Sequence, residues 1–319
     1  MPFALDADLV EPFVRGLWGA VDVDGGPTDE QRAVLDALVR HLWHRDDLVG
    51  QVEPMTPAAV ARAVAHPVAR RRFHEVLLTL EVCRHPLTAA QVDRVDEYGA
   101  ALDFEGPDLQ ILRDLTDRGV GVAAADFARF LDDNLSRRHE PGLRLSPVTT
   151  TPEPELAAAM QSLAHLPEGT LGRALLDFYD RAGLSLPGVE GSGMNHWFVA
   201  HDTTHVIAGI EPTGPGEVAL SAFQVAMDDN DVNRGALLAS LVVHEAGFAG
   251  SASSAAESGI LATPGAAELL GQEMERGAAC RADFSLVDHM ALFPRPLAEV
   301  REQFGVGRPV DPADGHHCW

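Results

Sequence analysis

Residues Asn195 to Met227 read NHWFVAHDTTHVIAGIEPTGPGEVALSAFQVAM and contain two apolar runs with helical spacing. Between the runs lies EPTGPG, whose prolines and glycines interrupt a helix. The segment therefore predicts a hairpin of two helices. On the first helix His201 and His205 are four residues apart, which places both imidazoles on one face, one turn apart.

Two carboxylates accompany this histidine pair. Asp202 follows His201 directly, about 100° further round the helix. Glu217 opens the second helix, and the hairpin could bring its carboxylate back to the imidazoles. Two imidazoles with one or two carboxylates suit Zn, Fe(II), Mn or Co, so we expect a divalent metal ion here. The chain has 14 histidines, and a chance pair at this spacing is the competing interpretation.

Helical spacing recurs along most of the remaining chain, and strand signals are weak. The pattern predicts an all-α protein with two helical-bundle domains. The segment Arg144 to Pro154, RLSPVTTTPEP, lacks helical periodicity and predicts the boundary between them. The expected division is residues 1–143, residues 155–306 and a solvated tail over residues 307–319. The tail carries His316, His317 and Cys318, for which metal binding is the weaker interpretation.

Charge and composition exclude several classes of function. The formal net charge is -24, and so acidic a surface repels the phosphates of nucleic acid. Three scattered cysteines fit neither a disulfide framework nor a cysteine-based zinc site. The N-terminus has no signal-peptide pattern, and the apolar run from Gly235 to Val243 is too short to cross a bilayer. We expect a cytoplasmic protein, with peripheral attachment to a membrane as the alternative.

The spacing around the histidine pair resembles the signature of the coenzyme Q biosynthesis protein 4 family. That signature is His-Asp, two residues, His, eleven residues and Glu, and this chain matches it from His201 to Glu217, with Gly216 completing the usual Gly-Glu pair. Upstream, LPEGTLGRALLDFYDRAGLSLPG from Leu166 is similar to a second family segment. Downstream, MERGAACRADFSLVDHMALFPRPLAEVREQFGV is similar to its closing helix pair, so the resemblance spans residues 150–306.

This resemblance implies an all-α fold with a divalent metal at His201, Asp202, His205 and Glu217. It implies a prenylated or otherwise lipophilic aromatic acid as substrate, a decarboxylation with hydroxylation, and other biosynthetic enzymes as partners. Asp202 and Glu217 would then be the catalytic carboxylates. The family usually has an Arg-Tyr-Arg run shortly before His-Asp, and the same places are occupied here by His196, Trp197 and Phe198. His196 could substitute for arginine or join the metal.

The first half contains WGAVDVDGGPTDEQRAVLDALV from Trp18, in which Thr28 and Gln31 fit a capping box. Asp22 and Asp24 could hold a hard cation, although a solvated turn between helices is the simpler interpretation. The turn resembles the acidic turn of the tellurite-resistance TerB-like family of helical bundles. A looser copy follows from Phe73. The resemblance covers residues 8–135 and implies an interaction module.

Three hypotheses about function remain open at this point. The first is a metal-dependent enzyme, a decarboxylase or lyase of a quinone-type pathway. The second is a lipid-binding scaffold with a structural metal, which organises a biosynthetic complex. Under either hypothesis the chain could form a homo-oligomer. The third, a metal phosphohydrolase, lacks the further histidine and aspartate which that chemistry needs. His244 and Glu245 follow an apolar run, where a buried histidine satisfied by a neighbour is the favoured interpretation.

Overall fold

The computed structural model describes most of the chain, namely residues 5–50, 52–103, 129–130, 132–138, 140–143, 151–247 and 258–319. Within these ranges the secondary structure is helical, and β-pairing is limited to isolated bridges. This confirms the predicted all-α class. None of the described helices combines the length and the apolar character needed to cross a bilayer.

Five α-helices lie within residues 5–50 and 52–103. They are α1 (Ala7–Val21), α2 (Asp29–Ala37), α3 (Pro57–Ala63), α4 (Pro67–Val82) and α5 (Ala89–Ala101). A π-helical turn, Leu38–Leu42, continues α2. Residues 132–137 form a further helical segment.

The predicted capping box at the start of α2 is confirmed. The Thr28 hydroxyl accepts from the Gln31 N–H at 3.1 Å, and the Gln31 side chain accepts from the Thr28 N–H at 3.0 Å. These reciprocal bonds satisfy backbone donors that the helix itself leaves unpaired. In the preceding turn, Asp24 has a positive φ of 51° and accepts from the Thr88 hydroxyl at 2.6 Å. The acidic turn is thus tied to the start of α5.

Eight α-helices lie within the described residues after position 150. They are α6 (Pro154–Ser162), α7 (Leu171–Ala182), α8 (His196–Ala208), α9 (Gly214–Met227), α10 (Asp231–Ser240), α11 (Ala266–Ala278), α12 (His289–Leu292) and α13 (Leu297–Phe304). A π-helical turn, Leu241–Glu245, continues α10. The helices α8 and α9 are the hairpin that the sequence predicts.

Helix α9 is buried almost all round because it belongs to two hydrophobic cores. Val218 and Ala222 face a core built with helices α1 to α5, α10 and α11. Leu220 and Phe223 face a second core, built with α6 to α8 and with α12 and α13. Burial on both sides fixes the helix that carries Glu217, which is a better scaffold for a site than a surface helix.

The first core therefore combines helices from both sides of the expected domain boundary. Part of that boundary, residues 144–150, lies outside the described residues. The division into two separable domains stays a prediction. Helices from before and after the boundary bury their apolar surfaces against each other in the first core. Separating the two halves would expose these surfaces to water, which is unfavourable.

The last residues are packed against the second half, in contrast to the expected solvated tail. His317 is only 7% exposed. Its Nε2 contacts Glu273 at 3.1 Å and its Nδ1 contacts Asp314 at 3.0 Å. Carboxylates at both ring nitrogens favour the imidazolium. Although burial alone would lower the pKa of His317, these two carboxylates raise it. The Arg301 guanidinium lies 3.8 Å from the ring centroid of Trp319.

Candidate metal centre

The hairpin of α8 and α9 positions the candidate site. Helix α8 begins at an Asn195 cap, whose side chain accepts from the Trp197 N–H at 3.1 Å. It ends at Gly209, whose φ of 75° is the left-handed conformation that favours glycine. Helix α9 is capped by Thr213, whose hydroxyl accepts from the Gly216 N–H at 3.1 Å. The local sequence thus fixes where each helix begins and ends.

The chain requires glycine immediately before Glu217. A Cβ on Gly216 would lie 2.1 Å from the carbonyl oxygen of Glu211 and 2.9 Å from the Thr213 hydroxyl. Neither the backbone oxygen nor the capping hydroxyl can yield without opening the first turn of α9. The Gly-Glu pair therefore has a steric reason, and it places the Glu217 carboxylate in the first turn of the helix.

Three of the predicted donors converge across the hairpin. Glu217 Oε2 lies 3.2 Å from His201 Nε2, and its Oε1 lies 3.3 Å from His205 Nε2. Donor atoms of these three residues all lie within 4.8 Å of one another. His205 is fully buried, whereas the side chains of His201 and Glu217 are 26% and 21% exposed. The cluster is therefore closed on its inner side and reachable from solvent on the other.

The protonation of His205 follows from its second nitrogen. Nδ1 donates to the carbonyl oxygen of Ile210 at 3.0 Å, which leaves Nε2 as a bare lone pair in the neutral ring. That lone pair is buried, has no hydrogen-bond donor, and faces the Glu217 carboxylate. Two acceptors in contact need a cation between them, either a proton or a metal ion. A backbone carbonyl that orients a histidine in this way is typical of metal sites.

The pKa shifts of His205 and Glu217 agree with the need for a cation between them. Burial alone would lower the pKa of His205, but contact with Glu217 outweighs burial and raises it. Burial alone would raise the pKa of Glu217, but the two imidazoles hold it well below its usual range. The carboxylate is therefore ionised, as a metal ligand must be.

The C-terminal residues hold the turn that orients His205. The backbone N–H of Glu211 donates to the carbonyl oxygen of His316 at 2.8 Å, and the Cys318 N–H donates to the carbonyl oxygen of Gly209 at 2.9 Å. These two bonds flank Ile210, whose carbonyl accepts from His205. The packed tail is thus a support for the site, a role that the sequence did not indicate.

Asp202 points to a different neighbour from the other three predicted ligands. Its Oδ2 accepts from the Tyr179 hydroxyl at 2.7 Å, and its side chain is buried. Burial, opposed by the charges of His201 and His205, raises the pKa of Asp202 to about 6. Among the described residues, the converging set of donor atoms contains His201, His205 and Glu217 but not Asp202. Ligation by Asp202 stays a prediction.

A buried arginine from before the boundary reaches His201. Arg138 Nη1 lies 3.4 Å from His201 Nδ1, and its Nη2 donates to Gln224 Oε1 at 3.0 Å. Arginine only donates, so the first contact favours an Nδ1 that accepts. Metal binding at His201 Nε2 would put the proton on Nδ1 and would loosen this long contact. Burial lowers the pKa of Arg138 to about 10, which leaves the guanidinium charged at neutral pH.

The sequence did not indicate Arg138 or Tyr179 as site residues. Tyr179 lies on α7 within a segment that carries part of the family resemblance, but no spacing relates it to Asp202. Arg138 is 63 residues away from His201 along the chain. Only the packing of distant helices brings them together, so no local pattern could have found them.

His196 does not join the converging donors, contrary to one expectation. Its Nδ1 contacts Glu153 Oε1 at 2.6 Å, and its backbone N–H donates to Glu153 Oε2 at 2.8 Å. The residue is buried, and the carboxylate ties the start of α8 to α6. Trp197 is buried beside it, and Phe198 packs on the second core. The three residues in place of the Arg-Tyr-Arg run thus contribute to packing.

The chemistry of the three converging donors fits a divalent ion. Two imidazole nitrogens and one carboxylate oxygen are ligands that Zn, Fe, Mn and Co accept. Three protein ligands leave coordination positions for water or substrate. The expected candidates elsewhere do not form such a set within the described ranges, whether at Asp22 and Asp24 or at His316 and Cys318.

Comparison with known proteins gives little independent information. No protein-family model matches the chain, and no curated protein matches it. Among the solved structures that match is that of a Nostoc punctiforme protein whose provisional name is ubiquinone biosynthesis protein, with a TM-score of 0.33 and 20% identity. The match covers 74% of this chain and 98% of that chain. A likeness at this level establishes neither family nor function, and both resemblances read from the sequence stay predictions.

Proposed function

We propose that the chain is a metal-dependent enzyme that acts on a prenylated or otherwise lipophilic aromatic acid, by decarboxylation coupled to hydroxylation. The bond between the ring and the carboxyl group breaks with release of carbon dioxide, a hydroxyl group takes its place, and an external two-electron oxidant such as dioxygen accepts the electrons. His201, His205 and Glu217 would hold the divalent ion. The observation that supports this best is the buried Nε2 of His205, which faces the Glu217 carboxylate at 3.3 Å while Nδ1 is bonded to the carbonyl oxygen of Ile210. Zn, Fe, Mn and Co all suit these three donors.

A bound divalent ion would act as a Lewis acid on a carboxylate or phenolate oxygen of the substrate. The exposed parts of His201 and Glu217 offer a side from which such a molecule can approach. The fully buried His205 excludes water from the opposite side.

Arg138 supports an anionic substrate. Its Nε is buried and has no hydrogen-bond partner in the described part of the chain. An unpaired guanidinium N–H is costly, and an anionic oxygen is the acceptor that would relieve it. Arg138 would thus supply a guanidinium in place of the arginines of the family's Arg-Tyr-Arg run. Asp202, oriented by the Tyr179 hydroxyl, and Glu217 are the candidates for carrying a proton during turnover.

The substrate class itself rests on the sequence resemblance of residues 150–306, and a lipid-binding scaffold with a structural metal is the alternative. An open coordination position favours catalysis, and a closed set of four protein ligands favours structure. The contact of Asp202 supports the catalytic alternative, because its Oδ2 accepts a hydrogen bond from the Tyr179 hydroxyl and lies outside the converging set of three donors.

Metal content is the first test. We expect the purified protein to hold an ion that His205→Ala loses, because the variant removes the only fully buried donor. The exposed His165 provides a matched control, and His165→Ala should keep wild-type content. Elemental analysis of the three proteins decides the point. Equal content in wild type and His205→Ala would reject the metal site.

Turnover is the second test. The metal-loaded protein should convert a prenylated hydroxybenzoate, or a related lipophilic aromatic acid, with release of carbon dioxide. Arg138→Met should raise the KM for the acid more than it lowers kcat if the guanidinium binds the carboxylate. A protein that binds prenylated acids, loaded with metal, without any turnover would favour the scaffold.

A further inference from the structure

A second group of metal-capable side chains lies outside the hairpin. Glu30 in the first turn of α2, His85 after α4, and Glu245 at the end of the π-helical turn have donor atoms within 4.8 Å of one another. His85 Nε2 hydrogen-bonds the Glu245 carboxylate and lies 3.9 Å from Glu30 Oε2. His85 and Glu245 are 160 residues apart in sequence. The cluster thus joins helices from both sides of the expected boundary.

The Glu245 carboxylate is fully buried, the Glu30 carboxylate is mostly buried, and the imidazole reaches solvent. The side chain of Glu245 is 0% exposed, that of Glu30 is 9% exposed, and that of His85 is 36% exposed. One oxygen of Glu245, Oε2, accepts from the Leu261 N–H at 2.9 Å, which holds Oε1 towards His85. Two buried donors with a partly exposed third leave an entry path for an ion.

Glu30 provides an independent sign that something is missing from this cluster. Its Oε1 is buried and has no hydrogen-bond partner in the described structure. An unpaired buried carboxylate oxygen is unfavourable in free energy, because it has lost its hydrogen bonds to water without gaining a donor from the protein. The oxygen belongs to the residue that converges on His85 and Glu245, so a ligand between the three would satisfy it.

The charges within the cluster do not balance. Two carboxylates face one imidazole, which contributes at most one positive charge. The neighbouring Arg84 does not help, because its guanidinium donates to the carbonyl oxygen of Gly26 at 2.8 Å. Like-charged carboxylates in contact need either a shared proton or a cation.

From this geometry we propose that Glu30, His85 and Glu245 form a second divalent-metal site, distinct from the hairpin site. One imidazole and two carboxylates are a harder donor set than that of the hairpin, and they suit Zn, Mn or Fe(II). The ion would cross-link α2 and the turn after α4 to the end of the π-helical turn. The site is therefore structural in role, and it does not depend on the activity proposed above.

Zinc titration of metal-free protein tests the proposal. We expect wild type to bind two equivalents of Zn²⁺, and both His205→Ala and His85→Gln to bind one. The double variant should bind none. In His85→Gln the amide can still donate to Glu245, which preserves the fold while removing the imidazole. Loss of a ligand should weaken the second site by about a hundredfold or more.

The stability of the same proteins separates the two sites. Zn²⁺ should raise the melting temperature of wild type and of His205→Ala, because the cross-link remains in both. It should raise the melting temperature of His85→Gln and of Glu245→Gln much less. Co²⁺ absorption of the His205→Ala protein should be lost on adding His85→Gln. If His85→Gln and wild type bind equal zinc and melt alike with it, the cluster holds only a shared proton and the proposal is wrong. If His205→Ala binds as much zinc as wild type while His85→Gln binds less, the hairpin site is rejected and the site of Glu30, His85 and Glu245 is supported.

Discussion

Replacing Glu217 by glutamine should separate a catalytic from a structural metal. The amide keeps the size of the side chain and removes its charge. Without metal, its oxygen can still accept from His201 Nε2–H, and its NH2 can donate to the bare Nε2 of His205. These contacts span 3.2 Å and 3.3 Å in the native protein. No buried polar atom needs to be left unpaired in Glu217→Gln.

The magnitudes follow from these contacts. Hydrogen bonds to a charged group contribute about 1.5–3 kcal/mol each, against about 1 kcal/mol for neutral ones. Part of this loss is offset because the amide, unlike the carboxylate, is uncharged, so folding no longer moves a charge away from water. We therefore expect a loss of about 1 kcal/mol in the free energy of unfolding, or roughly 2 °C in melting temperature. Metal affinity should fall by at least about a hundredfold, or about 2.7 kcal/mol.

The assay measures metal content, melting temperature and turnover on one preparation of each protein. Glu211→Gln is the matched control, because Glu211 lies in the same hairpin and its carboxylate pairs with Arg181 at 3.1 Å. The control should retain both metal and activity. Wild-type metal content and turnover in Glu217→Gln would refute the reasoning. A sharp loss of stability, with lipid binding intact in the folded fraction, would instead indicate a structural ion.

Three further results are expected. In thermal melts Gly216→Ala should lower the free energy of unfolding by about 1–3 kcal/mol, because its Cβ would lie 2.1 Å from the Glu211 carbonyl oxygen. The control Gly307→Ala has open space around the new Cβ and should leave the stability unchanged. His317→Gln should lower the free energy of unfolding most near pH 6, and progressively less as pH rises through the raised pKa of His317, because only the imidazolium is stabilised by its two carboxylates. A stability difference between wild type and variant that grows with pH would contradict this. Limited proteolysis should cut between residues 144 and 154. Because helices from both fragments build the first core, the fragments should co-elute on gel filtration until denaturant is added.

Local features of the chain were predictable because they depend on neighbours in sequence. The capping box of Thr28 and Gln31 needs only three residues of spacing, and the structure has both of its hydrogen bonds. The pairing of His201 with His205 needs only one helical turn. The return of Glu217 to that pair needs only a short loop whose prolines and glycines end one helix and begin the next. The helical class and most of the hairpin were therefore determined by the sequence itself.

Tertiary structure determined which other groups surround these residues, and where the chain is buried. The carbonyl oxygen of Ile210 selects the tautomer of His205, but every residue has a carbonyl and no pattern marks this one. Arg138 reaches His201 across 63 residues of chain, and Glu245 reaches His85 across 160. Such contacts depend on how apolar faces pack, since packing sets the distance between helices that are remote in sequence. The sequence alone determined the histidine hairpin, and only packing decided its surroundings and assembled the second cluster.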